Sequence, residues 1–174
     1  RVFKILDTDS QIEDSGSIEK TAINGDIEFS NVHFGYLDNE EVLHGISFKV
    51  NAGETVAIVG ATGAGKSTII NLLNRFYEIN SGVISIDGTD IKDFKLASLR
   101  SKIAVVLQDV FLFADTIANN ISLKEESVTI TDIENAAKQI GVHDFIESLP
   151  GGYLYNVKER GTMLSSGQRQ LIAF

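Results

Sequence analysis

The chain has 174 residues, 43% of them apolar, which is enough for one domain of ordinary size with its own buried core. Its formal net charge of -9 argues against a nucleic-acid footprint, which needs a basic face, and the absence of cysteine removes disulfides and thiolate metal sites and fits a reducing, cytosolic setting. His33, His44 and His143 are too scattered to suggest a ligand cluster, and no apolar run approaches the roughly 20 residues of a membrane span.

Val2 to Leu6 reads as a helix end, followed up to residue 24 by a polar stretch of linker composition. From Asp26 the pattern alternates as in a strand, Ile27 and Phe29 and then Val32 and Phe34, with an irregularity at Ser30 and Asn31. Ile46 to Val50 and Thr55 to Val59 are further strand candidates. A Gly-rich loop precedes a helix over Lys66 to Phe76, whose Ile69, Ile70, Leu72, Leu73 and Phe76 recur at helical spacing. Val83 to Ile86 turns through Asp87 and Gly88 and returns at Ile91 as a hairpin.

Leu96 to Arg100 is predicted as one or two helical turns. The run IAVVL, Ile103 to Leu107, predicts a central strand covered on both faces. Beyond Asp115 the chain turns helical: Thr116 to Ile121, then a helix to Ile140 opened by a TDIE capping box with Thr131 as N-cap and Glu134 at N3.

The stretch GATGAGKST, comprising Gly60, Ala61, Thr62, Gly63, Ala64, Gly65, Lys66, Ser67 and Thr68, matches the phosphate-loop pattern GxxxxGK[ST]. Its setting between an apolar strand and a helix suits the chemistry. Glycines let backbone N–H groups approach phosphate oxygens, Lys66 reaches the β- and γ-phosphates, and the Ser67 hydroxyl takes a position on Mg²⁺. The bland alternative is a glycine-rich turn with a solvated lysine.

The loop alone leaves kinases, GTPases, helicases and transport ATPases open. Over nearly its whole length, however, the sequence resembles the nucleotide-binding domain of ABC transporters of the exporter type. Four further segments carry the likeness: VHFGY ending in Tyr36, SLRSKIAVVLQDVFLF around Gln108, KERG from Lys158 to Gly161, and LSSGQ from Leu164 to Gln168.

The resemblance implies an α/β phosphate-loop NTPase core with an antiparallel β-subdomain and a helical subdomain at about 112–165, incomplete at the C-terminus, with residues 1–24 linking to a membrane domain and 25–174 forming a partial ATP-binding domain. It implies ATP and Mg²⁺ as ligands. Tyr36 stands where the family stacks an aromatic on adenine, and Gln108 where a glutamine contacts Mg²⁺ and couples to the membrane domain, which KERG also touches. LSSGQ resembles the signature, in which Ser165, Gly167 and Gln168 hold the γ-phosphate of ATP bound by a second such domain. Ser166 departs from the pattern, since glycine is commoner there.

The family's later strand ending in Asp-Glu, and its switch histidine, are not in this sequence, so Lys66 and Gln108 are the catalytic candidates and the general base is not among them. The chain by itself is expected to be inactive and reduced in stability. In the intact protein the resemblance implies ATP hydrolysis driving export at the cytoplasmic face of the cell membrane. A non-hydrolysing nucleotide-binding module stands beside this reading, as does a non-transport ABC ATPase of DNA-repair type. The latter carries a long coiled-coil insert, and Thr68 to Leu164 has no sustained heptads.

Overall fold

The structure is a computed structural model that describes residues 3, 12–20, 22–37, 40–106, 110–158, 161 and 163–174. They fall into two compact units, Arg1–Ala104 and Val105–Phe174. The helix end expected at Val2 to Leu6 lies outside the described residues except for Phe3, which is helical. The second unit begins somewhat earlier than the expected helical subdomain.

In the first unit, β1 (Ile27–Leu37) lies between β2 (Glu40–Val50) and β3 (Ser81–Ile86), all antiparallel, with the two-residue β4 (Thr89–Asp90) beyond β3. The apolar pattern of β1 needs an interruption. Phe29 and Val32 are three apart, so in an unbroken strand they would face opposite sides, yet both are buried. The register shifts between them in both pairings, and Asn31 takes the left-handed conformation (φ 47°), as a bulge allows. β2 is longer than its expected span, because its pairing with β1 continues from Val50 back to Glu40.

The hairpin expected at Asp87 and Gly88 is present, with both residues at positive φ (49° and 72°). The Asp87 carboxylate also accepts the backbone N–H groups of Asn24, Gly25 and Asp26 at 2.7, 3.0 and 3.0 Å, which hold its pKa below the ordinary carboxylate value. The polar stretch ahead of it is likewise fixed. Ser17 and Ile18 N–H donate to the Asp93 carbonyl, Lys95 N–H donates to the Ile18 carbonyl, and Leu96 N–H donates to the Asp14 carboxylate. A sequence of linker composition thus lies bonded along the segment that leads into α2 (Leu96–Arg100).

The helix after the Gly-rich loop, α1 (Lys66–Leu73), is shorter than its apolar spacing predicts. It stops because Arg75 adopts φ 48° and the Arg75 and Phe76 N–H groups turn back to the Leu72 and Asn71 carbonyls. Two expected strands are not strands. Residues 55–59 and 103–106 carry no ladder, and Leu107 lies outside the described residues. Val56, Ile58 and Val59 are exposed, Val59 at 87%, and a strand without a hydrogen-bonded neighbour has no ladder to join.

The second unit is built from α3 (Ile117–Ser122), α4 (Ile130–Gln139), α5 (His143–Glu147) and α6 (Ser166–Ala173), with a short ladder between β5 (Asp115–Thr116) and β6 (Asn156–Val157). Ile117, Ile133, Val142, Ile146, Val157 and Ile172 belong to its core. The box that opens α4 sits two residues earlier than the sequence suggests: Thr129 is the N-cap and Asp132 the N3 partner, so Thr131 is already inside the helix. Asp132 accepts the Thr129 N–H at 3.0 Å, and α4 begins two residues earlier as a result.

Candidate functional site

The phosphate-loop residues lie in the first unit between the exposed segment 55–59 and α1. Gly63 and Gly65 take left-handed φ of 84° and 81°, and Gly65 is the N-cap of α1. A side chain is disfavoured at Gly65 on two counts. Its φ is strained for an L-residue, and a Cβ would come within 2.7 Å of Leu43 Cδ2. No side chain caps α1 and no acidic residue lies in its first turn, so its leading N–H groups and positive dipole end are left for an anion.

Lys66 curls back over this loop. Its ammonium donates to the Gly60 and Ala61 carbonyls at 2.8 and 2.7 Å, and Ala64 N–H donates to the Ala61 carbonyl. Ser67 is exposed at the start of α1, whereas Thr68 is buried. The site is therefore a cationic, N–H-lined turn with a hydroxyl at its edge.

Tyr36 joins the same neighbourhood from the end of β1. Its phenol oxygen is 3.0 Å from Thr68 Oγ1, and its ring meets Phe34 and Tyr77 edge-on at centroid separations of 4.9 and 5.0 Å. A cavity of about 190 Å³ beside these rings is lined in part by Phe34, Tyr36, Phe76 and Tyr77. The sequence reading did not single out Tyr77. Its signal in the sequence is the aromatic pair Phe76-Tyr77, which lies just past the end of α1.

In the second unit, Ser165 is the N-cap of α6: its hydroxyl accepts the Gln168 N–H, and the Gln168 side-chain oxygen accepts the Ser165 N–H at 2.9 Å. This reciprocal box fixes Gln168 as part of the cap. Gly167 lies inside α6, and space around its Cα is open. Ser166 is the first helical residue and is not among the residues at positive φ, so its backbone does not require glycine. Arg169 donates to the Leu164 carbonyl at 2.8 Å and holds the turn ahead of α6.

Gln108 lies outside the described residues, as do Glu159 and Arg160 of KERG. Histidines distant in the sequence do meet: His33 and His44 approach the two oxygens of Glu41 at 2.5 and 3.0 Å. The bond with His33 leads the lowering of the Glu41 pKa. Among the described residues, no group of three or more His, Cys, Asp or Glu could hold a metal ion.

A glycine-capped helix carrying a lysine turn, next to an antiparallel sheet, defines a phosphate-loop nucleotide-binding domain. A family model described as ABC transporter matches residues 43–174, and the chain belongs to that family. It is 45% identical over 175 residues to an uncharacterized ABC transporter ATP-binding protein, YknV, of Bacillus subtilis, covering 100% of this chain and 29% of that protein. With the ATP-dependent lipid A-core flippase of Saccharophagus degradans the identity is 47% over 172 residues, covering 99% of this chain and 29% of that protein. The fold matches the structure of a bacterial Atm1-family ABC exporter with ATP bound at a TM-score of 0.91 and 44% identity, over 98% of this chain and 30% of that one. The chain thus spans less than a third of the length of these relatives.

Proposed function

We propose that this domain binds the triphosphate of Mg-ATP on residues 60–68 and, in the longer protein, hydrolyses it to drive export across a membrane. The observation that carries the reading is the Gly65 cap, which presents the start of α1 to an anion with Lys66 alongside. The loop donors fit a polyphosphate: backbone N–H groups, one ammonium and no competing carboxylate in the first turn. Ser67 would hold Mg²⁺ together with the phosphates and Gln108, and the ion would supply charge neutralisation between phosphate oxygens.

Tyr36, a residue that is 46% exposed, would stack its ring on adenine. Ser165, Gly167 and the leading N–H groups of α6 would contact the γ-phosphate held by a second ATP-binding domain, while Gln168 shapes that turn. Contact with a transmembrane domain, through the Gln108 loop and Lys158 to Gly161, is supported by Phe111 and Phe113. Their rings meet edge-on at 5.3 Å, yet the two residues are 62% and 57% exposed. That contact would hold the domain at the cytoplasmic face of the membrane. No helix among the described residues is long and apolar enough to cross a membrane.

One test is ATP affinity of the full-length protein with Lys66→Ala, which is expected to fall by about tenfold or more because a charge-assisted contact is lost. Unchanged affinity overturns the reading. A non-hydrolysing nucleotide-binding module is the second reading, since the helix cap, the ammonium and the hydroxyl of this site are all phosphate- or cation-binding groups. Steady ATP turnover by the full-length protein rejects it.

A further inference from the structure

We infer that Tyr77 is a positioning residue for nucleotide-base binding, fixing the ring of Tyr36 against the phosphate-loop helix. The inference rests on the reading of Tyr36 as the adenine-stacking ring. Three independent contacts define the orientation of that ring. Phe34, buried on the same strand, meets it at an interplanar angle of 84°, Tyr77 meets it at 87°, and its hydroxyl shares a hydrogen bond with buried Thr68.

The chain supplies Tyr77 by a fixed route. α1 begins at the phosphate loop and ends in the Arg75 turn, which carries the chain back to the end of β1. Asn80 then fastens the returning segment, because its N–H donates to the His33 carbonyl and its side-chain oxygen accepts the Gly35 N–H at 2.8 Å. The ring of Tyr77 is thereby tied to β1 through Asn80 and to the phosphate loop through α1. A stacking surface held this way spends less ordering entropy when a base settles on it.

Without Tyr77, the Tyr36 ring keeps Phe34 and Thr68 but loses one of its flanking rings and gains rotational freedom. The loss should fall on the base and spare the phosphates. Titration of the full-length protein with Mg-ATP and, separately, with Mg-tripolyphosphate separates the two.

Tyr77→Ala is expected to weaken ATP binding by about two- to tenfold, the range of an aromatic pair, and to leave tripolyphosphate binding unchanged. Tyr77→Phe, which keeps the edge contact, is expected to restore ATP affinity. Tyr77→Leu, which keeps apolar volume, should weaken ATP as Tyr77→Ala does and serves where the alanine variant does not fold. Unaltered ATP affinity in Tyr77→Ala or Tyr77→Leu overturns the inference, as does a parallel loss of tripolyphosphate binding, which marks a merely structural role. Tyr36→Ala distinguishes the two levels. If it leaves ATP affinity intact, the stacking reading fails and the inference with it; if it weakens ATP while Tyr77→Leu does not, only the inference fails.

Discussion

The guanidinium of Arg75, buried at the end of α1, donates to the carbonyl of Glu13 at 3.2 Å across 62 residues of sequence. The same group pairs with Glu78 at 2.7 Å and reaches the carbonyls of Ile91 and Lys92. One side chain therefore ties the N-terminal stretch to the turn ahead of α2. Arg75→Ala would leave these carbonyls without their donor and is expected to destabilise the first unit by about 3 kcal/mol or more. Amide exchange should locate the effect: Ser17, Ile18 and Lys95, whose N–H groups bond between the two segments, should exchange faster. Unchanged exchange at these amides would show that the polar stretch is held without Arg75.

Gly65→Ala should damage the loop in a manner that Gly63→Ala does not. Both residues have positive φ, but only at Gly65 would a Cβ strike a neighbour, Leu43 Cδ2 at 2.7 Å. The shared backbone strain costs about 1–2 kcal/mol, and the clash adds to it at Gly65 alone. Thermal unfolding of the two variants compares them; equal losses would mean that the Leu43 contact yields freely.

The position of the α4 cap can be read from two alanine variants. Thr129→Ala should cost about 1 kcal/mol, the usual worth of an N-cap hydroxyl, and Thr131→Ala should cost much less. Urea denaturation decides between them, and the reverse order would restore the cap to Thr131.

Asp115 predicts a pH dependence. The ion pair with Lys124, at 2.7 Å, leads the causes that bring its pKa down to about 2 from the ordinary 3.8, followed by donors from Asn119 and Thr116. A depressed carboxylate contributes stability above its unfolded value, and that contribution is lost as pH falls from about 4 through about 2. Asp115→Asn should flatten this part of the stability profile. Because Lys124 is mostly exposed, the effect should also shrink in high salt. A profile unchanged by the substitution would remove Asp115 from the acid response.

The apolar residues left open at Val56, Ile58 and Val59 should make the 174-residue chain bind a hydrophobic dye. Val59→Lys, at the most exposed of them, should reduce that binding. A chain that binds no dye and unfolds cooperatively at ordinary stability would contradict this expectation.

Elements whose signal is local were legible in the sequence. The Asp87-Gly88 hairpin, the break at Asn31 and the glycine-rich loop each follow from residue type and immediate spacing. Elements needing a distant neighbour were not. The alternation of Thr55 to Val59 is that of a strand, but a ladder requires a second chain segment that no local pattern specifies. The meeting of His33 and His44 at Glu41 depends on the β1–β2 register, and the end of α1 on a buried arginine that makes a left-handed turn. Tyr77 was missed for the same reason, since its partner Tyr36 lies on a strand 41 positions earlier.

The short helix between the phosphate loop and the Arg75 turn acts as a measuring rod. Its eight residues set a separation of about 12 Å, and each residue added or removed would rotate everything beyond it by about 100°. A single insertion in α1 would thus swing Tyr77 from its seat while leaving GATGAGKST intact. Two binding features that look independent in the sequence share one gauge, and that gauge tolerates changes only near whole turns.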